Sequence, residues 1–152
     1  MAKNKGNLTP AYRFRKNERL GSFVLRQNLF RSGQGFFEYP FRVVYLLQAG
    51  AQNGKPGETP DFGLKCLVSV PASKHKKATD RNLIRRRIKE AYRLNKGKLH
   101  QKLIREKKTC LIAWVYVASD ILPFQEIEKK ISVSLQEVLE RLIEGSEEIT
   151  PQ

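Results

Sequence analysis

The sequence predicts a single α+β domain whose elements follow the order α-β-β-α-β-α around a small, central mixed sheet. Its 152 residues suit one domain, and 40% apolar residues suffice for one compact core. Apolar residues recur at helical spacing in some segments and form β-branched or aromatic runs in others. No internal repeat or linker separates these segments, so we expect them to share one core.

The first helix is predicted over residues 17–31, with Asn17 as its N-cap and Gly33 where it ends. Its apolar positions recur at three- and four-residue steps, which predicts an amphipathic helix. The residues at this spacing are Leu20, Phe23, Val24 and Phe30, with the polar Gln27 among them.

Two strands are predicted after this helix. Residues 36–47 are aromatic and β-branched and predict the first strand, and residues 64–70 predict the second. The Gly- and Pro-containing residues 49–61 predict the loop between them. We therefore expect the two strands to form a hairpin across this loop.

The second half begins with a basic connection, residues 71–79, and a helix that Thr79 or Asp80 would cap and that runs to about Asn95. A short helical piece over 98–106 precedes residues 109–117, a nearly continuous apolar run typical of a central strand buried on both faces. Pro123 then starts the last helix. Its inward residues are predicted to be Ile127, Ile131, Leu135, Val138 and Leu142.

The chain is strongly basic, with a net charge of +14 and a pI near 10. Residues 74–98 carry eleven basic and two acidic side chains, and residues 1–33 carry eight and one, whereas residues 120–152 carry three and eight. A charge so unevenly distributed indicates a directed basic surface. It argues against an ordinary neutral enzyme and favours a nucleic-acid partner over an anionic membrane.

The sequence also predicts a cytoplasmic setting without a membrane partner. No apolar run reaches the roughly 20 residues needed to cross a bilayer, and the N-terminus lacks the apolar core of a secretory signal. Cys66 and Cys110 each lie in an apolar strand-like run, so we expect buried, reduced thiols. His75 and His100 lie far apart in sequence with no nearby Cys or carboxylate cluster, so we expect no protein-built metal site.

The most informative segment is the predicted helix over residues 80–93. On a helical wheel, Ile84, Ile88 and Ala91 form a narrow core stripe with Tyr92 at its margin. A polar face, here called the basic fan, covers roughly the next 100° of the wheel. The basic fan consists of Asn82, Arg85, Arg86, Lys89 and Arg93, with Arg81 between it and the stripe.

The basic fan is either an ordinary solvated face or a nucleic-acid contact. Like charges three or four residues apart repel by a few tenths of a kcal/mol each, and Glu90 is the only acid after the cap. An anionic partner would relieve this repulsion, so we favour the contact. Guanidinium forks match phosphate geometry, and Asn82 is able to bind a base or a ribose hydroxyl.

No catalytic residue is expected in the chain. The sequence has no Gly-rich phosphate loop, no nucleophile and base that can be placed together, and no paired carboxylates in its basic half. The glutamates of the last helix indicate an outer face, and Trp114 indicates core. Most of the early aromatic residues are expected in the core, with one or two left to stack on unpaired bases. These residues are Phe23, Phe30, Phe36, Phe37 and Tyr39.

The stretch from Leu67 to Arg93 combines a strand, a basic loop and a helix that opens with Arg81-Asn82. It resembles the protein component of bacterial ribonuclease P. Further segments similar to that family are Arg15-Lys16-Asn17-Glu18-Arg19-Leu20, Phe30-Arg31-Ser32-Gly33 and Phe41-Arg42-Val43-Val44-Tyr45. The resemblance covers residues 13–144.

Two departures from the family pattern stand out. The usual Arg-Asn-Arg triplet is here Arg81-Asn82-Leu83, although the wheel places Leu83 away from the basic fan. Pro71-Ala72-Ser73 also intervenes before the basic residues of the loop. Which loop lysine takes the family's leader-contacting role therefore stays open.

The resemblance implies the protein subunit of a ribonucleoprotein that removes the 5′ leader of precursor tRNA. The RNA subunit would perform the hydrolysis with bound magnesium ions, and the protein's partners would be that RNA and precursor tRNA, with no obligate protein partner. The resemblance further implies a left-handed β-α-β crossover through the Arg-Asn helix. It implies a family domain over residues 14–145, between a basic tail (1–13) and an acidic tail (146–152).

The same resemblance implies two sets of contacts. Strand alternation places Arg42 and Val44 on one face, and we expect Ser69 to share it. The residues expected to bind the RNA subunit are Arg81, Asn82, Arg85, Arg86, Lys89 and Arg93. The residues expected to bind the leader are Phe30, Arg42, Val44, Ser69, Lys74, Lys76 and Lys77. For Phe30, a simple core position is the alternative.

Two other functions fit parts of the pattern. A ribosomal or assembly protein that binds structured RNA without enzymatic role predicts the same charge and fold. A DNA-binding regulator would use residues 80–94 as a recognition helix, but it needs a second helix just before, where residues 61–70 predict a strand.

Overall fold

The computed structural model describes residues 18–49 and 62–149. They form four helices and four strands, which confirms the α+β class. The elements are α1 (Phe23–Ser32), β1 (Gln34–Glu38), β2 (Phe41–Ala49), β3 (Gly63–Ser69), α2 (Ala78–Asn95), α3 (Gly97–Arg105), β4 (Lys108–Tyr116) and α4 (Phe124–Ile149). The predicted tail 1–13, the Asn17 cap and most of the predicted loop 49–61 lie outside the described residues, and α4 is helical through Ile149.

The four strands form one mixed sheet in the order β1-β2-β4-β3. Strand β2 is antiparallel to both β1 and β4, whereas β3 and β4 are parallel. Two parallel strands joined through α2 and α3 make a β-α-β crossover, as the predicted topology requires.

Two strand predictions are wrong. Residues 36–47 do not form one strand: the chain turns at Tyr39-Pro40, a cis peptide bond, and β1 pairs back on β2. Proline has no N–H for a ladder, so a turn is favoured there. Nor do β2 and β3 form a hairpin, because β4 lies between them. An apolar strand is best placed where both faces and both edges are covered, and β4 takes that central position.

Alternation along the strands creates two cores. On one face, residues such as Phe41, Ile112 and Trp114 pack against α2, α3 and α4. On the other face, a smaller cluster joins α1 and the segment before it to β2 and β4. This cluster consists of Leu20, Leu29, Val44, Leu111 and Ala113. Strand β4 is therefore buried on both faces, as predicted.

Helix α1 differs from its prediction in start and orientation. It begins at Phe23, with Ser22 as N-cap accepting a bond from Leu25 N at 3.3 Å. Leu20 lies before the helix, where its N–H donates to Cys66 O of β3 at 3.0 Å. The prediction included Leu20 in the helix, and its apolar face was therefore placed on the wrong side of α1. Leu29 is the buried residue of α1, and the predicted apolar face points to solvent.

Gly33 ends α1 as predicted, for a steric reason. A Cβ at Gly33 would lie 2.4 Å from Leu29 O and 2.8 Å from Tyr45 O. The Cβ of any other residue would clash with both carbonyl oxygens and force the end of α1 away from β2.

The later helices follow their predictions closely. Helix α2 begins at Ala78, slightly before the predicted cap at Thr79 or Asp80. Its buried stripe contains Ile84, Ile88, Ala91 and also Tyr92. All five predicted inward residues of α4 are buried. Both cysteines are free and buried, as predicted, and desolvation raises the pKa of the Cys66 and Cys110 thiols to about 12.

A buried ion pair fixes the segment before α1 to the junction between α2 and α3. Lys96 Nζ lies 2.6 and 2.7 Å from the two carboxylate oxygens of Glu18, and Tyr92 Oη donates to Glu18 at 3.0 Å. Lys96 is fully buried and Glu18 is 2% exposed. Together with the bond from Leu20 N–H to Cys66 O, the pair anchors the segment before α1 beside β3.

Candidate nucleic-acid interface

Helix α1 crosses the sheet on the face opposite α2 and leaves part of that face open. Its start is tied to β3 by the bond between Leu20 and Cys66, and its end is tied to β2 at Gly33. Beneath it lie Val44 and Ala113, which are buried. Arg42, two residues before Val44 on β2, is exposed, and Val115, two residues after Ala113 on β4, is partly exposed. This open strip of the sheet beside α1 is here called the groove.

The floor of this groove is one row of residues across all four strands. Arg42 pairs with Phe37 on β1 and with Val115 on β4, and Ser69 on β3 also pairs with Val115. We call Phe37, Arg42, Val115 and Ser69 the open row. Phe37 and Arg42 are exposed, and Val115 and Ser69 are partly exposed.

The open row brings together two residues predicted to share a face. Arg42 and Ser69 do share it, but they do not lie on neighbouring strands, because Val115 is between them. Val44 belongs to the next row and is only 7% exposed beneath α1. Val44 therefore supports α1 from below and presents little surface to a ligand.

Helix α1 presents aromatic side chains to solvent. Phe23 is 65% and Phe30 is 51% exposed, so Phe30 is not a core residue. Phe23, Gln27 and Phe30 follow helical spacing along one face and line a shallow surface depression with Arg26 and Arg31. Such exposed rings flanked by arginines suit stacking on unpaired bases.

The basic connection between β3 and α2 is held in place by internal contacts. His75 is buried, its Nε2 lies 2.8 Å from Ala118 O, and its ring packs on Tyr116 with centroids 5.6 Å apart. The Arg81 guanidinium donates to His75 O at 2.8 Å and to Lys76 O at 2.9 Å. The structure therefore uses Arg81, a predicted RNA contact, to shape this loop.

The lysines of the same loop point outward. Lys74, Lys76 and Lys77 are all exposed. The loop leaves β3 directly after Ser69 of the open row, so the lysines lie at the same end of the sheet as that row. Three exposed cations at the end of an aromatic groove can bind phosphates that extend beyond the groove.

The basic fan lies on the solvent side of α2, as the helical wheel predicts. Asn82, Arg86 and Lys89 are exposed, and Arg85 is partly exposed, with a bond to Asn82 Oδ1 at 3.1 Å. Arg93 pairs with Glu90 at 2.7 Å, which offsets part of its charge. The strongest unneutralised part of the basic fan is therefore its first two turns.

Phe37 and Val115 were not predicted as site residues. Both belong to the open row. The misplaced boundary of the first strand hid Phe37, and the unpredicted strand order hid Val115. Tyr39, at the turn between β1 and β2, has its ring 6.3 Å from that of Phe37. The local signal for Phe37 was its place in an aromatic run, but only the β1–β2 register shows that it pairs with Arg42.

The described residues provide little for other chemistry. Among residues 18–49 and 62–149, no three His, Cys, Asp or Glu side chains are grouped so that they could hold a metal ion. No helix in this described part has the length and apolar character to span a membrane. The described residues offer the basic fan on α2, the exposed lysines of the loop after β3, and, on the sheet face opposite α2, a groove that contains Phe37 and Arg42.

Comparison with known proteins gives matches to one protein family. The sequence profile of the family Ribonuclease P matches residues 14–139. The ribonuclease P protein component of Porphyromonas gingivalis strain W83 is 32% identical over 126 residues, covering 83% of this chain and 86% of that protein. The protein of the same name from strain ATCC 33277 is 32% identical over 120 residues, covering 79% and 82%.

Solved structures of low sequence identity share the fold. A Staphylococcus aureus RNase P protein mutant with defective mRNA degradation activity aligns with a TM-score of 0.58 at 18% identity, covering 81% of this chain and 89% of that one. A second S. aureus RNase P protein structure gives 0.54 at 17% identity, covering 80% and 94%. The profile match across most of the chain and the relatives at 32% identity show that this chain belongs to the ribonuclease P protein family, whose members are the protein subunit of a tRNA-processing endonuclease.

Proposed function

We propose that this subunit binds the catalytic RNA of ribonuclease P through the basic fan and holds the 5′ leader of precursor tRNA in the groove beside α1. The observation that supports it most is the open row, where exposed Phe37 and Arg42 share the floor of one groove. A phosphate on Arg42 and a base on an aromatic ring are the two contacts that a single strand needs.

The groove favours a single strand over a duplex. Its aromatic rings are useful only to bases that are not already stacked and paired. The basic fan, by contrast, offers guanidinium and ammonium groups with one Asn, which suits backbone phosphates and ribose of structured RNA. The chain therefore has one surface for each kind of RNA, on elements that cover opposite faces of the sheet.

Magnesium is proposed to be bound by the RNA. In the part of the chain that the structure describes, no three His, Cys, Asp or Glu side chains are grouped together. The exposed cations instead neutralise phosphates, which reduces the need for counterions when the RNAs assemble. In this proposal, the protein binds and orients, and the RNA carries out the hydrolysis.

Reconstitution tests the proposed function. The chain is mixed with the RNA subunit and a precursor tRNA that carries a leader, at a magnesium concentration too low for the RNA alone. We expect single-turnover cleavage at the mature 5′ end, because the cations replace counterions and the groove holds the leader. If the chain binds the RNA without accelerating cleavage at any magnesium concentration, the non-enzymatic RNA-binding alternative holds instead.

Neutral substitution of the basic fan should reduce the salt dependence of RNA-subunit binding. For each of Arg85→Ala, Arg86→Ala and Lys89→Ala, we expect the log–log salt slope to fall by about 1, since one phosphate contact is lost. Titrations of RNA-subunit binding over a range of salt concentrations measure this slope. Lys129→Ala, which removes an exposed cation from α4, is the matched control. Unchanged slopes for all three variants would mean that the basic fan is a solvated face.

A further inference from the structure

A further group of exposed cations, apart from the basic fan and the loop lysines, lies on α3 and the turn that follows it. Lys98, Arg105 and Lys107 are exposed, and Ile104 beside them is 46% exposed. We call these four residues together with Gln101 the α3 surface. The opposite side of α3, through Leu99 and Leu103, is buried in the main core.

Within the described residues, no acid forms an ion pair with the cations of the α3 surface. Glu106 is the only acid between residues 97 and 108. Its carboxylate lies 2.6 Å from Lys102 Nζ and 3.6 Å from Lys108 Nζ. In the described part of the chain, Lys98, Arg105 and Lys107 have no ion pair with an acid.

Lys98 and Lys107 occupy positions where the stability of α3 would favour other residue types. Lys98 lies in the first turn of α3, which contains no acid, and a cation there opposes the helix dipole. Lys107 has a φ of 59°, in the left-handed region where Gly or Asn usually follows a helix. Arg105 alone suits the helix dipole. The stability of α3 therefore does not explain why Lys98 and Lys107 are lysines.

We propose that the α3 surface binds backbone phosphates of the RNA subunit, as an extension of the basic fan. This inference rests on the proposed function. Helix α3 begins two residues after α2 ends, so the two basic surfaces follow each other along the chain. The turn at Lys107 lies at the opposite end of β4 from Val115, about 26 Å away at the rise of a strand. A leader in the groove is thus remote from the α3 surface, which favours the RNA subunit over the leader as the polyanion beside it.

The test is binding of the RNA subunit alone by the full chain across salt concentrations. The triple variant Lys98→Ala, Arg105→Ala, Lys107→Gly should lower the log–log slope by about two to three. Lys107→Gly by itself should lower the slope by about one without lowering the melting temperature, because glycine suits the positive φ. Lys129→Ala serves as the control and should leave the slope unchanged.

The arms of the experiment separate this inference from the function on which it rests. If Arg86→Ala and Lys89→Ala lower the slope but the triple variant does not, the α3 surface does not bind RNA phosphates. The inference is then wrong, while the proposed function stands. If the triple variant weakens binding only of precursor tRNA, the RNA-subunit assignment is overturned. If Lys107→Gly lowers the slope at an unchanged melting temperature, the proposal holds even where the triple variant fails to fold.

Discussion

Lys96→Met is expected to lower the free energy of unfolding by about 3–5 kcal/mol, the usual cost of removing one partner from a buried ion pair. The variant leaves the Glu18 carboxylate with Tyr92 Oη but without its cation, in a site where Glu18 is 2% exposed. Methionine fills the space of the lysine stem, so the loss measures the uncompensated charge more than a cavity. Urea unfolding followed by far-UV circular dichroism provides the free energy.

Two further variants show whether the cost arises from burial. Glu18→Leu combined with Lys96→Met removes both charges and should recover most of the loss, since a buried pair replaced by apolar groups is often neutral or stabilising. Glu90→Ala breaks the exposed pair with Arg93 and should cost less than about 1 kcal/mol. A loss below about 1 kcal/mol for Lys96→Met would contradict the buried pair.

Arg42→Ala should weaken binding of leader-bearing precursor tRNA by about tenfold or more, while the affinity for mature tRNA changes little. A hydrogen bond to a charged group contributes about 1.5–3 kcal/mol, and Arg42 is the cation of the open row. The measurement compares the reconstituted ribonucleoprotein on two RNAs that differ only in the presence of a leader of several nucleotides.

Controls for this comparison test the position of the charge. Arg42→Lys retains the cation but not the planar fork, so we expect an intermediate loss. Lys129→Ala removes an exposed cation from α4 and should affect neither RNA. Equal weakening for both RNAs, or for neither, would remove Arg42 from the leader site.

Local patterns in the sequence were sufficient to predict α2, β4 and α4. The stripe of Ile84, Ile88 and Ala91 and the opposing basic fan follow from helical periodicity alone. The apolar run of β4 likewise predicted burial on both faces, because apolar side chains at successive positions of a strand indicate that neither face is exposed to water. The resemblance in Arg81-Asn82 and the flanking segments indicates the same family as the profile match and the relatives at 32% identity.

Tertiary structure alone decided which strands pair and which face of α1 is buried. Neither a loop length nor an apolar run specifies a partner strand, so the insertion of β4 between β2 and β3 was not predictable from either strand. That insertion sets Val115 between Arg42 and Ser69 and so creates the open row. The exposure of Phe30 has a similar cause: the bond from Leu20 to Cys66 takes Leu20 out of α1, and Leu29 then becomes the buried residue of the helix. Periodicity shows that a surface is apolar, but burial depends on which other element comes to cover it.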